Sequence, residues 1–154
     1  MATRATAAKA APALKPVTVP IITAKEIMQS PVIAATPRAS LRDLAARLVA
    51  NEFSGMPVAD LDGRVIGVIT EADIIRALLE GKRLENLTAG EVMTGPAFTV
   101  DTNTPLEEVM KCLQDHKIVR VPVIADGKLV GIIARRDLIR ALIEPEFMLF
   151  RETL

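Results

Sequence analysis

The chain contains no tryptophan and no tyrosine, and has only one cysteine and one histidine in its 154 residues. Cys112 cannot form an intramolecular disulfide, and no Cys/His cluster has the spacing of a zinc site. Lying in an apolar helical pattern, Cys112 reads as a small core residue rather than a nucleophile. His116 falls near the end of that same helix, where a cation is favourable, and no Ser or Cys nucleophile pairs with it. No catalytic constellation and no metal set emerge, so the reading is of a protein that is not an enzyme. Four Phe are the only aromatic residues, which leaves an aliphatic core and little means of stacking nucleobases. Lys plus Arg number 19 and Asp plus Glu number 19. That zero balance argues against a broad basic surface for nucleic acid. No apolar run approaches the ~20 residues of a membrane span. Residues 1–20 are rich in Ala, Pro and Thr, and Lys9, Pro12, Lys15 and Pro16 interrupt any signal-peptide centre, so a flexible tail is expected. A cytoplasmic location is the expectation for the whole.

Half the residues are hydrophobic, and they are arranged in a repeat. Gly67-Val68-Ile69-Thr70-Glu71-Ala72-Asp73 returns as Gly131-Ile132-Ile133-Ala134-Arg135-Arg136-Asp137, with the same offset from Gly67 to Gly131 as from Asp73 to Asp137. Each copy is an aliphatic strand running into a helix, which predicts two units related by internal symmetry. Thr70 and Asp73 have the spacing of an N-cap and its N3 partner. The same turn has chemical potential, because helix-start amides attract anions and a carboxylate can accept from sugar hydroxyls.

In chain order, Thr23 and Glu26 open the first unit with a capping box, and Thr88 and Glu91 repeat it in the second. These short helices run into Pro31 and Pro96. Short strands are expected at Val32–Ala35 and Ala97–Val100. Helices follow with stripes at Leu41, Leu44, Ala45, Leu48, Val49 and at Leu106, Val109, Met110, Leu113. The first starts at Ser40 and ends near Asn51; the second has Thr104 as cap and Pro105 at its first position. Gly55–Val58 and Arg120–Val123 are strands carrying Pro57 and Pro122, expected at an edge or a sharp turn. Asp62-Gly63 and Asp126-Gly127 signal hairpins to the strands Val65–Ile69 and Leu129–Ile133. The closing helices are Glu71–Glu80, with Gly81 as C-cap, and Arg135–Ile143, stopped by Glu144-Pro145. The expected divisions are a tail at 1–20, a first repeat at 21–83, a second at 84–147 and an apolar end at 148–154.

This layout resembles a tandem pair of CBS (cystathionine beta-synthase) domains, the Bateman module. The matching residues are Ile27-Met28 and Val92-Met93-Thr94; Ser54–Val58 and Val119–Val123; and Gly67–Asp73 and Gly131–Asp137. The resemblance implies an α/β fold of two pseudo-symmetric repeats, each a small mixed three-stranded sheet with packed helices. It implies a regulatory role with no catalytic residues, and a cleft between the repeats for an adenosine compound: AMP, ADP, ATP or S-adenosylmethionine. The alternative it leaves open is a ligand-free dimerisation or interaction module.

Carried over by position, one nucleotide cleft would use Thr70, Asp73, Thr94, Phe98, Val119 and Arg120. A second, weaker cleft would use Ile33, Phe53, Ser54, Arg136 and Asp137, because Ala134 replaces the hydroxyl of Thr70 and Gln29 stands where Thr94 stands. The resemblance also implies a homodimer, with Leu41–Ala50, Leu106–Leu113 and Phe147–Phe150 as its surfaces. With no effector domain in this sequence, the regulated activity is expected to belong to another, unidentified protein.

Overall fold

The structure is a computed structural model that describes residues 22–152, with side chains described as far as Ile143. The 1–20 tail and the Phe147–Phe150 side chains therefore lie outside the described residues. In chain order the elements are α1 (Ala24–Ile27), α2 (Leu41–Asn51), β1 (Gly55–Ala59), β2 (Val65–Thr70) and α3 (Glu71–Leu79). After a 3-10 turn at Leu84–Asn86 come α4 (Ala89–Val92), β3 (Val100–Asp101), α5 (Leu106–Asp115), β4 (Arg120–Ala125), β5 (Lys128–Ala134) and α6 (Arg135–Glu152). The chain is a mixed α/β fold built on two small sheets.

In one sheet β1 pairs antiparallel with β2; in the other the order is β3-β4-β5, with β3 parallel to β4 and β5 antiparallel to it. The first repeat's opening strand is reduced to a parallel bridge between Ala35 and Val58. Ala35 donates to Pro57 O and accepts from Ala59 N, both at 2.9 Å. Pro31 and Pro37 flank this segment and lack the amides that would extend its pairing at either end. Its counterpart β3 lies at the end of the expected Ala97–Val100 segment rather than along it. Pro122 sits in a central strand, not at an edge. β3 pairs with β4 only at Val123 and Ile124, beyond the proline, so no expected rung is missing.

Hairpins form where Asp-Gly pairs predict them. Asp126 and Gly127 both have positive φ, 50° and 76°, as a two-residue type I′ turn requires. The helix ends also repeat. At the end of α3, Gly81 (φ 78°) donates to Leu78 O and Lys82 to Ala77 O, the Schellman arrangement. α2 and α5 end the same way on Glu52 (φ 56°) and Lys117 (φ 51°), which are not glycines.

The α5 helix begins at Leu106 with Pro105 as its cap, one residue later than the sequence suggests. Thr104 accepts from Asp101 N instead, at 3.0 Å. Ser40 caps α2 by position but its side chain makes no capping bond. The first amide of each helix is satisfied by the other repeat: Leu41 N donates to Leu87 O and Leu106 N to Ile22 O, both 2.9 Å. The closing helix α6 runs through Pro145 to Glu152. A helix can continue past a proline with one hydrogen bond lost and a kink, if good helix formers follow, as Glu146, Met148 and Leu149 do here.

Two cores result, and each borrows from the other repeat. Leu41, Leu44, Leu48, Met56, Val58, Ile69, Ile74 and Ala77 pack with Ala89 of α4. Val100, Val109, Leu113, Val121, Val123, Ile133 and Leu138 pack with Ala24 of α1. The opening helix of each repeat thus completes its partner's core. The fit depends on two glycines. A Cβ on Gly67 would lie 2.6 Å from Met93 Sδ, and one on Gly131 would overlap Met28 Sδ. Each repeated strand glycine leaves the hole that the other repeat's methionine fills. Units of ~60 residues, marginal alone, gain core surface from this exchange.

Candidate functional site

The exchange of opening helices also sets two carboxylates against the other repeat. Asp73, at the start of α3, is 2% exposed. Its Oδ2 accepts from Thr70 N (2.9 Å) and Thr70 Oγ1 (3.0 Å). Its Oδ1 accepts from Thr94 Oγ1 (3.2 Å), just past α4, and from Arg76 Nη1 (3.3 Å). A carboxylate has about four lone-pair sites, and here all are in use. Asp73 and Thr70 also form a reciprocal capping box, as the sequence predicts.

Asp137 occupies the same place at the start of α6 and is 6% exposed. Its Oδ2 accepts from Ala134 N and its Oδ1 from Gln29 Nε2, both at 2.7 Å. Arg140 Nη1 stands 3.9 Å from Oδ1. With no hydroxyl at Ala134, Asp137 accepts two hydrogen bonds and keeps acceptor capacity.

Asp137 faces a cleft of about 660 Å³ between the repeats. Ile33, Phe53, Val119 and Ile132 supply its apolar walls; Ser54, Glu71, Arg120 and Arg136 supply its polar groups. The cleft therefore gathers Ile33, Phe53, Ser54, Arg136 and Asp137. It also includes Val119 and Arg120, which the positional carry-over grouped with Thr70 and Asp73. Thr70, Asp73 and Thr94 form their own cluster, outside this lining. Phe98 stacks on His116 with ring centroids 3.6 Å apart and planes within 10°.

Arg120 crosses from the start of β4 to the start of β1. Its Nη1 donates to Gly55 O at 2.7 Å and its Nη2 to Ser54 Oγ. Burial lowers its pKa, against the opposing pull of Glu71 and Asp137, yet a guanidinium remains charged. The resemblance places Arg120 in a nucleotide cleft and gives no sign of these partners, because the contact joins residues far apart in the chain. Gln29 is legible in the sequence only as a departure from the Thr94 pattern. Among the described residues no group of His, Cys, Asp and Glu is arranged to hold a metal ion, and no helix is long and apolar enough to cross a membrane. Cys112 is part-buried against the second core, and burial raises its pKa.

Two α/β repeats joined by exchanged helices, with a polar-ended apolar cleft between them, define a class of paired tandem-repeat modules. The CBS domain profile matches residues 24–80 and 89–144, and the chain belongs to the CBS domain family as a tandem pair. Hypoxic response protein 1 of Mycobacterium tuberculosis is 31% identical over 129 residues, 83% of this chain and 90% of that protein. The CBS domain pair of protein MJ0100, solved with 5′-methylthioadenosine and S-adenosyl-L-methionine, aligns with a TM-score of 0.72 and 31% identity, covering 80% of this chain and 97% of that one. CBSX2, solved in complex with AMP, aligns with a TM-score of 0.70 and 28% identity over 80% of this chain and 98% of that one.

Proposed function

We propose that this CBS pair is a regulatory sensor that binds an adenosine compound of the AMP, ADP or ATP type in the cleft between its repeats and modulates a partner protein. The observation that carries this reading is the Asp137 cleft: an open volume with apolar walls and a buried carboxylate that has spare acceptor capacity. In this reading Ile33, Phe53 and Val119 offer adenine an apolar wall, Asp137 offers the ribose diol an acceptor, and Arg136 offers the phosphates a cation. The Thr70–Asp73 cluster, with Thr94, is the symmetric counterpart. A ligand there has to displace hydrogen bonds that already saturate Asp73. The solved pairs with AMP and with S-adenosyl-L-methionine support the ligand class.

The test is titration calorimetry of the purified protein with AMP, ADP, ATP, S-adenosylmethionine and 5′-methylthioadenosine. Because the chain has no Trp or Tyr, adenine carried through purification would dominate the near-ultraviolet absorbance. Absence of binding by every compound would replace this reading with the ligand-free interaction module.

Self-association is the second part of the proposal. Ile75, Leu78 and Leu79 on α3 are exposed, as are Ile139, Leu142 and Ile143 at the equivalent positions of α6. Of the expected α2 stripe, by contrast, Leu41, Leu44 and Leu48 are buried and Ala45 is half-buried, while Val49 is exposed and lies outside the core. A groove of about 700 Å³ between α5 and α6, lined by Met110, Leu113, Ile139 and Leu142, continues the apolar face. Two such faces related by pseudo-symmetry suit a closed two-fold dimer. Light scattering giving a monomer mass at tens of micromolar would remove this part.

A further inference from the structure

We propose that Gln29 is a built-in competitor for the ligand: its amide holds Oδ1 of Asp137 within the cleft, so a ribose diol that reaches the carboxylate's remaining lone pairs must push that side chain aside. The inference rests on the adenosine reading of the Asp137 cleft and adds its regulation. Gln29 Nε2 donates to Asp137 Oδ1 at 2.7 Å, and both residues line the cleft. The amide nitrogen must face the carboxylate, because an ionised carboxylate only accepts. The bond joins residues 108 positions apart, from the end of the first repeat's opening helix to the second repeat's closing helix.

The side chain is free to leave. The backbone of Gln29 is held separately: Gln29 N donates to Ile132 O at 2.9 Å, and Ile132 N to Gln29 O at 3.1 Å. Nothing in that bridge depends on the amide. The opposite cluster uses Thr94 at the equivalent position of the second repeat, and its hydroxyl sits on Asp73. Gln29 is longer than threonine and exposed, so it can swing to solvent when a diol arrives. Before it swings, the cleft is only partly competent, and the apparent affinity is reduced by the competent fraction. Gln29 therefore sets the ligand concentration at which the cleft fills.

The experiment compares wild type with Gln29→Ala and Gln29→Thr in the full chain, by calorimetric titration with AMP and with a dideoxy analogue of AMP that lacks the ribose diol. Melting temperatures are measured alongside. Gln29→Ala should bind AMP about five-fold or more tightly than wild type, as removal of an internal competitor predicts. The dideoxy analogue should gain nothing, and Gln29→Thr should fall between the two proteins. AMP affinity that is unchanged or weaker in Gln29→Ala overturns the proposal while leaving the adenosine reading intact. An equal gain for the dideoxy analogue also overturns it, since Gln29 would then act by bulk alone. If neither wild type nor Gln29→Ala binds any adenosine compound, the adenosine reading falls and this inference falls with it.

Discussion

Arg120 Nη1 donates to the carbonyl of Gly55 across 2.7 Å, and the two residues hold equivalent positions in the two repeats. The pair therefore lies where the repeats' symmetry brings β1 and β4 together. A glycine on one side leaves the space that the arginine on the other side fills: a Cβ on Gly55 would stand 2.9 Å from Arg120 Nη1. Arg120→Ala removes this strap and its bond to Ser54. Hydrogen bonds to a charged donor contribute roughly 1.5–3 kcal/mol, so unfolding free energy should fall by about that much in urea titration. Arg120→Lys should recover only part of it, because an ammonium cannot present two parallel donors.

The strand glycines should be intolerant for a steric reason. Gly67→Ala and Gly131→Ala each drive a methyl into a methionine of the other repeat. Overpacking of this kind costs about 1–3 kcal/mol. At Gly131 all the nearest atoms belong to the Met28 side chain, whereas at Gly67 the carbonyl of Thr94 is also close. Adding Met28→Ala should thus relieve the Gly131→Ala clash more fully than Met93→Ala relieves that of Gly67→Ala. A double-mutant cycle read by chemical denaturation measures the difference.

Helix ends offer the opposite sign. Glu52 and Lys117 hold the left-handed conformation that favours glycine. Glu52→Gly and Lys117→Gly should each raise stability by about 0.5–1 kcal/mol. Gly81→Ala, at φ 78° with nothing within 4 Å of its new methyl, should lower it by about 1 kcal/mol through backbone strain alone. Shifts in denaturation midpoint without a change in slope would show this.

The two carboxylates should separate by readout. Asp73 accepts four hydrogen bonds while buried, so Asp73→Asn turns an acceptor into a donor facing donors. Its main effect should be a stability loss of roughly 1–3 kcal/mol. Asp137→Asn should lower adenosine affinity about ten-fold, with a smaller drop in melting temperature. Calorimetric titration and thermal melts of both variants decide the matter; equal binding losses would show that the two clefts share the ligand.

Cys112 should resist alkylation. Burial, aided by the nearby Asp115, disfavours its thiolate and raises its pKa above the ordinary value of 9.0. The reactive form is therefore scarce at neutral pH and grows only as pH climbs beyond that value. Alkylation rates across pH should rise later in the native protein than in denaturant.

Much of the fold is legible in the sequence because it is local. Repeat spacing, the Thr-x-x-Glu and Thr-x-x-Asp boxes, the Asp-Gly hairpins and Gly81 all act within a few residues, and the chain folds at each as its residues require. Pro122 and Pro145 constrain the chain less than their sequence context suggests. Each removes a donor, but pairing that starts beyond the proline accommodates the first, and a helix that continues past a lost bond accommodates the second.

Residue patterns alone establish that there are two repeats, where most of their helices and strands lie, and that they resemble CBS domains. How the repeats interlock is settled by long-range packing. No pattern in the chain announces that α1 completes the second core and α4 the first, that Met28 and Met93 fill the holes at Gly131 and Gly67, or that Arg120 reaches Gly55. These contacts join residues far apart in the chain, and no local propensity or periodicity carries such a distance. The same holds for the site. The sequence already separates Asp73 from Asp137 by the Thr70 hydroxyl that Ala134 lacks, but only packing brings Thr94 onto Asp73, sets Gln29 against Asp137 and opens the cleft beside the second carboxylate.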